Sequence, residues 1–364
     1  MSYQTFQHNR NYGCRITELS LQGHRCVSLE NEKLRVTIIA DKGADVYEFL
    51  YKPRDVDFMW RTWVGLRERS HFVPTSSRAN SGSHMDYYEG GWQELFPNCG
   101  NLSLHQGAEV GQHGEVLLLP WRYAITKDEP DEIEVRFDVR TVRTPFHLVR
   151  TVTLRGKEAV MRIHERITNE SGQEVNFTWG HHPALGWPFI DESCRVDLPA
   201  CRIRTIADFT PSSSRLKPDQ VSDWPMAEGA NGEQIDLSQI PGPDADASDM
   251  VFLEGITDGW YAVRNTSLGV GFAMRYPAYV FKQLWYWQVY RGGRDYPWWS
   301  STYNIALEPC ATQPVLSHAV ARGEALSLSP GESREIDLMA LAFEGPQRIS
   351  GIDSDGAVTR EDVV

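Results

Sequence analysis

The chain has 364 residues, 41% hydrophobic and 23% charged, a globular composition that excludes disorder or a fibrous repeat as a description of the whole. Acidic residues outnumber basic ones by 49 to 36, a net charge of −13, which argues against nucleic acid and anionic membrane surfaces as partners, because affinity for both comes from basic patches. The oddity is 12 Trp beside 14 Phe and 14 Tyr; an indole is costly bulk unless its flat face or its N–H is put to use.

Residues 1–10 show no basic stretch followed by an apolar run, and no window reaches the apolar length of a membrane span. The six cysteines (Cys14, Cys26, Cys99, Cys194, Cys201, Cys310) include no C-x-x-C and are too widely spaced to read as a disulfide framework. A reduced, cytoplasmic protein is the expectation. Along the chain the hydrophobic period is two rather than 3.6. Ile133-Glu134-Val135-Arg136-Phe137-Asp138-Val139-Arg140 alternates strictly, the mark of a strand with one face on a core. Noisier alternation predicts strands at Leu34–Ile39, Phe146–Leu154, Met161–Ile167, Trp260–Arg264 and Leu268–Met274, and a strand, turn and strand over Ala325–Leu328, 329–332 and Ile336–Phe343. Many strands with short turns and almost no helix predict an all-β protein, a single large β-sandwich over 1–344. Residues 208–247, rich in Pro, Ser, Asp and Gly, read as a polar surface insertion, and 345–364 as a loosely attached tail.

Four polar-aromatic clusters interrupt the strands. In Glu89-Gly90-Gly91-Trp92-Gln93-Glu94-Leu95-Phe96-Pro97-Asn98 the glycines permit close backbone approach while Trp92 and Gln93 supply a stacking face and a neutral amide; the plainer alternative is a connection whose Trp plugs the core. His113, ahead of the apolar run Val116–Leu119, sits at a strand mouth, where ligand contacts are made, although a lone His is more often structural. His181 and His182 lie in an aromatic neighbourhood, and in an extended segment they face opposite ways, so one of them at most meets a given pocket. Glu308 ends an apolar strand ahead of Pro309, where partial desolvation raises a carboxyl toward the range of a general base working near neutral pH; the alternative is a carboxylate turned into solvent. Trp285 and Trp287 share one strand face and suit the C–H faces of a sugar ring. With no phosphate loop or dinucleotide fingerprint, the ligand these groups suggest is uncharged, hydroxyl-rich and independent of a cofactor. Zinc or manganese on His105, His113, His181, His182 and Glu308 is the competing use, but no H-x-H or H-E-x-x-H spacing organises them, so no metal is expected.

Gly90-Gly91-Trp92-Gln93-Glu94-Leu95-Phe96-Pro97-Asn98, His113-Gly114-Glu115 with Pro120-Trp121, His182-Pro183-Ala184-Leu185 and Leu307-Glu308-Pro309 occur in an order that resembles the aldose 1-epimerase (galactose mutarotase-like) superfamily, most closely a divergent bacterial branch. The resemblance covers nearly the whole chain and includes the hairpin over 328–333. It implies a single β-supersandwich with an open pyranose groove and cofactor-independent interconversion of sugar anomers. By this resemblance Glu308 matches the catalytic base, His182 the general acid and His113 a sugar-binding His. Asp249 matches a sugar-binding Asp, and Arg78 is the nearest counterpart of a substrate-binding Arg. Pro183-Ala184 stands where the family has an aromatic after the acid His, and 208–247 is long, so galactose itself is not implied and another aldose, a ketose, an acidic sugar or a larger glycan stays open. The expected partner is a monosaccharide or a derivative, with Trp92, Trp121, Trp179, Trp187, Trp285 and Trp287 around Glu308. A non-catalytic carbohydrate-binding protein and a metal-dependent sugar isomerase or lyase are the alternatives.

Overall fold

The computed structural model describes residues 10–71, 82–207 and 211–361. Its strands follow the period-two segments closely. Glu132–Arg140 buries Ile133, Val135 and Phe137 on one face, Leu34–Ile39 has the expected bounds, and the pattern at 268–274 becomes the strand Val270–Arg275. Among the described residues the α-helices are two short ones, Gly82–Asp86 and Leu316–Ala321, and no helix is long and apolar enough to cross a membrane.

A twelve-stranded and an eight-stranded antiparallel sheet carry most of the chain, and their facing sides share one apolar core. Phe49 of the larger sheet meets Phe272 of the smaller edge-on at 5.4 Å, and Phe58 meets Phe189 at 4.6 Å, contacts worth about 0.5–1.5 kcal/mol each beyond the area they bury. The all-β sandwich is therefore the architecture. Within this core lies a dry polar network. Arg150 from the smaller sheet donates to Glu165 at 2.7 Å, to Glu94 of the larger sheet and to the Ala44 carbonyl at 2.8 Å. The Trp179 indole also donates to Glu94, at 2.9 Å. His181 Nε2 lies 3.1 Å from Glu165, and the Trp92 indole donates to His181 Nδ1 at 3.3 Å. Every charged member has a partner, which is the condition for burying charge at tolerable cost.

In the middle of the larger sheet the strands Trp92–Leu95, Gly180–Gly186, Tyr303–Cys310, Gln283–Tyr290 and Ala247–Glu254 run side by side. Gln93 opposes His182, Glu308 opposes Trp285, and Trp285 opposes Phe252. His182 falls beside Glu308 because the pairs Gly180–Cys310 and Ala184–Ala306 bracket them. Cross-strand partners share a face, so one row of side chains stands on the side of the sheet away from the core. The neighbouring residues His181, Glu94, Leu307 and Tyr286 point inward.

Two segments differ from expectation. The described part of 208–247 is not only surface: it carries the strands Val221–Asp223, Met226–Glu228 and Gln234–Asp236, and places Leu216, Ala227, Leu237 and Ile240 in the main core. The expected loose tail is instead tied down. Ile349–Ile352 pairs with Val358–Arg360, and Ile349 and Ile352 are buried against Trp260, Ala262 and Phe343; two well-placed isoleucines anchor a segment whose average hydrophobicity is low. All six cysteines are buried thiols.

Candidate functional site

The outward row floors a cavity of about 540 Å³, lined by His182, Glu308, Trp285 and Trp287 from the sheet, His113 from a loop, and Trp298 from the connection following Gln283–Tyr290. Segment 84–88 closes another side with His84, Met85 and Tyr88. A wider groove of about 670 Å³ lies beside Arg275 of the other sheet and Tyr279; it shares no residue with this cavity and has no comparable cluster of buried acid and base, so the smaller cavity is the candidate site.

Glu308 is 2% exposed, and its carboxyl Oε1 lies 3.4 Å from His182 Nε2. On the other side of the ring, the Tyr88 hydroxyl sits 3.3 Å from His182 Nδ1. A hydroxyl both gives and accepts, so Tyr88 fixes the ring while leaving either nitrogen available to the proton. His113 is held differently. Its Nδ1 contacts the Cys99 carbonyl, which only accepts, so that nitrogen carries the proton and Nε2 is left as an acceptor. His113 has φ of +61° and Gly114 +88°. A Cβ on Gly114 would stand 2.0 Å from the Phe96 carbonyl oxygen, so only glycine lets this loop lie against the Phe96 backbone and aim His113 into the cavity.

Burial dominates the electrostatics. It pushes Glu308 well above the usual carboxyl range, with a smaller contribution from Cys99. It pulls His182 down to about 3, helped by neighbouring His113, and His113 down to about 4 against the pull of the Cys99 carbonyl. His84, its ring 5.0 Å from that of His113, is lowered well below the ordinary imidazole value, again chiefly by burial. Burial thus disfavours charge throughout the cavity, raising the Glu308 carboxyl and lowering the imidazoles of His182, His113 and His84. Among the described residues no Lys or Arg lines the cavity, and no three His, Cys, Asp or Glu side chains converge as a metal-holding group.

The sequence reading and the structure meet at His182, Glu308, His113, Trp285 and Trp287, which line one cavity. The Trp285 indole donates to the Thr312 carbonyl at 3.1 Å, while Trp287 packs 5.7 Å from the His182 ring and 5.2 Å from Trp298. Other expected residues stand elsewhere. Trp92 is in the core, where its indole holds His181, and Trp121 and Trp179 are buried there too. Trp187 is 76% exposed and is not part of the lining. Gln93 shares the His182 row, but its amide is taken by the Gly90 carbonyl at 2.5 Å and it does not line the cavity. Asp249 faces the other way: Met250 beside it lines the cavity, while Asp249 is fully buried with Arg215 at 2.6 Å and Ser214 at 2.9 Å. Strand parity is the reason, since neighbouring residues point to opposite faces. Arg78 lies outside the described residues. Tyr88, His84 and Trp298 were missed; the one available signal was the His84–Tyr88 stretch directly ahead of the Gly90-Gly91-Trp92 cluster.

Residues 21–341 match the family model described as a domain of unknown function, DUF4432. No curated protein matches the sequence. Among solved structures, the fold is similar to that of a candidate aldose 1-epimerase from Klebsiella pneumoniae, with a TM-score of 0.71 and 14% identity over 92% of this chain and 88% of that one. A galactose mutarotase-like protein from Clostridium acetobutylicum aligns with a TM-score of 0.62 and 16% identity over 91% and 99%. A candidate aldose 1-epimerase from Escherichia coli K12 aligns at 0.58 and 14% identity over 90% and 99%. At these identities the likeness is one of fold: the chain has the galactose mutarotase-like sandwich.

Proposed function

We propose that this chain, which belongs to the DUF4432 family, is a carbohydrate epimerase that interconverts the anomers of an uncharged sugar through the acid–base pair Glu308 and His182. The observation carrying this reading is the pair itself: a buried carboxyl and a buried imidazole 3.4 Å apart at the floor of an aromatic cavity. The fold of the candidate aldose 1-epimerases and galactose mutarotase-like proteins supports the same direction.

The separation limits how a sugar is addressed. A ring does not fit between groups 3.4 Å apart, so acid and base act from one side, on the anomeric hydroxyl and the ring oxygen, both of which are bonded to C1. In the reacting arrangement His182 carries the proton and Glu308 is ionised. Glu308 takes the proton from the anomeric hydroxyl, the C1–ring-oxygen bond breaks as C1 becomes an aldehyde, and His182 protonates the departing oxygen. The pair is then a neutral acid beside a neutral imidazole, the distribution that burial favours, and it is poised for the reverse transfers. Rotation about C1–C2 followed by the reverse transfers closes the ring on its other face. No proton is gained or lost overall.

The other residues bind and orient. Tyr88 positions the His182 ring, His113 offers an acceptor to a sugar hydroxyl, and Trp285, Trp287 and Trp298 present aromatic surfaces to C–H faces. The described lining is rich in indoles and imidazoles, a surface suited to the C–H faces and hydroxyls of a neutral sugar. Polarimetry on fresh single-anomer solutions of neutral aldoses and ketoses tests the reading. Equilibration faster than in buffer for at least one sugar is expected; binding without acceleration across the panel indicates the non-catalytic carbohydrate-binding alternative.

A further inference from the structure

A second cavity, of about 370 Å³, adjoins the first: Met85, Tyr296 and Pro297 line both. Its other walls carry Trp63 and Trp299, which are 57% and 56% exposed. Two half-exposed indoles facing one concavity are an unusual use of the chain's costliest side chain, and exposed apolar surface of this kind marks a binding site. The volume falls in the range of small-molecule sites, roughly 300–1,000 Å³.

The cavity is built rather than incidental. The Trp63 indole donates to the Pro297 carbonyl at 3.0 Å. The Tyr296 hydroxyl bonds Asp86, and Arg67 Nε donates to the Asp86 carbonyl at 2.9 Å. These contacts tie segment 63–67, segment 85–87 and the 296–297 connection into one frame, which holds the Trp63 indole and leads directly to Trp299. A guanidinium, a carboxylate and a phenol stand at the edges of the aromatic walls, a combination that receives hydroxyls while the indoles receive C–H faces.

We infer that this second cavity is a sugar subsite, and that the natural substrate is a reducing oligosaccharide whose reducing-end unit occupies the Glu308 cavity and whose next unit lies between Trp63 and Trp299. The inference rests on the epimerase reading for its orientation: only the reducing end has a free anomeric hydroxyl, so that unit belongs inside and the glycosidic linkage passes Tyr296 and Pro297. The chemistry changes nothing beyond C1, and the linkage to the second unit stays intact.

The test compares the reducing disaccharides lactose, maltose, cellobiose and melibiose with glucose and galactose, using calorimetric binding and anomer exchange by NMR. Wild type should bind at least one disaccharide about tenfold or more tightly than its reducing-end monosaccharide. Trp299→Ala and Trp63→Ala should each lower the disaccharide-to-monosaccharide ratio of affinities by about tenfold, and Trp63→Phe, which keeps an aromatic face, should restore most of it. Where exchange is measurable, the ratio of kcat/KM should follow. If no disaccharide outbinds its monosaccharide, or if the alanine variants leave the ratio unchanged, the subsite is overturned while the epimerase reading stands. Disaccharide binding that depends on Trp63 and Trp299 without anomer exchange would keep the subsite and remove the epimerase reading.

Discussion

In the proposed reaction, burial rather than a charged partner sets the proton affinities of Glu308 and His182. Because burial lowers His182 to about 3, its titration should leave the rate flat across the range where an ordinary histidine titrates, around pH 6.5. A pH profile of kcat/KM on any accepted sugar checks this: no acidic limb between about pH 5.5 and 7.5 is expected, and a limb centred near 6.5 would show that His182 titrates as a solvated imidazole. Both residues stood out in the sequence by their neighbours, a lone carboxyl in an apolar run and paired histidines among aromatics, although the strand Tyr303–Cys310 continues past Glu308 rather than ending there. Asp249 was misread because an Asp on a strand has a meaning that depends on parity, and here Met250 takes the cavity face. Tyr88 and His84 had only their nearness to the Gly90-Gly91-Trp92 cluster to mark them, because their segment has no period and its place above the sheet is set by tertiary contacts.

The central strands are buried on both faces, one on the core and one beneath the cavity, and the polar network behind them ties the two sheets together. Arg150 bridges Glu94 and Glu165, all three almost wholly buried. Arg150→Met removes the cation and leaves two carboxylates in a dry interior, so urea unfolding should show a loss of about 3–5 kcal/mol; a loss under about 1 kcal/mol would mean that water or proton uptake compensates the site. The strands themselves were readable, since one face in contact with a core imposes alternation. The network was not, because Trp92, Glu94 and His181 carry the same residue types as a binding site, and the side of the sheet they face is settled only by the register that places His181 opposite Glu94. The hairpin at 349–360 escaped notice because its hold is two buried isoleucines rather than a periodic run.

At the scale of the molecule, the site is stored at a cost that depends on pH. Burial holds His113 at about 4, so as pH falls below about 6.5 the unfolded chain takes up a proton there that the folded chain refuses, and stability declines. The raised carboxyl of Glu308 acts in the opposite sense, being protonated in the folded state first, which makes a comparison with a variant the clean reading. His113→Gln should gain about 2 kcal/mol on wild type in urea unfolding between pH 7.5 and pH 5; an unchanged difference would mean that His113 titrates normally in the folded protein. The central claim is that a buried acid–base pair makes this sandwich an anomer-interconverting catalyst, and exchange NMR on a sugar accepted by the wild type, repeated with Glu308→Gln, tests it most directly. A glutamine keeps the shape but neither takes nor returns the proton, so anomer exchange should fall about 10²–10⁴-fold while the sugar still binds; full exchange by the folded Glu308→Gln protein would contradict the account.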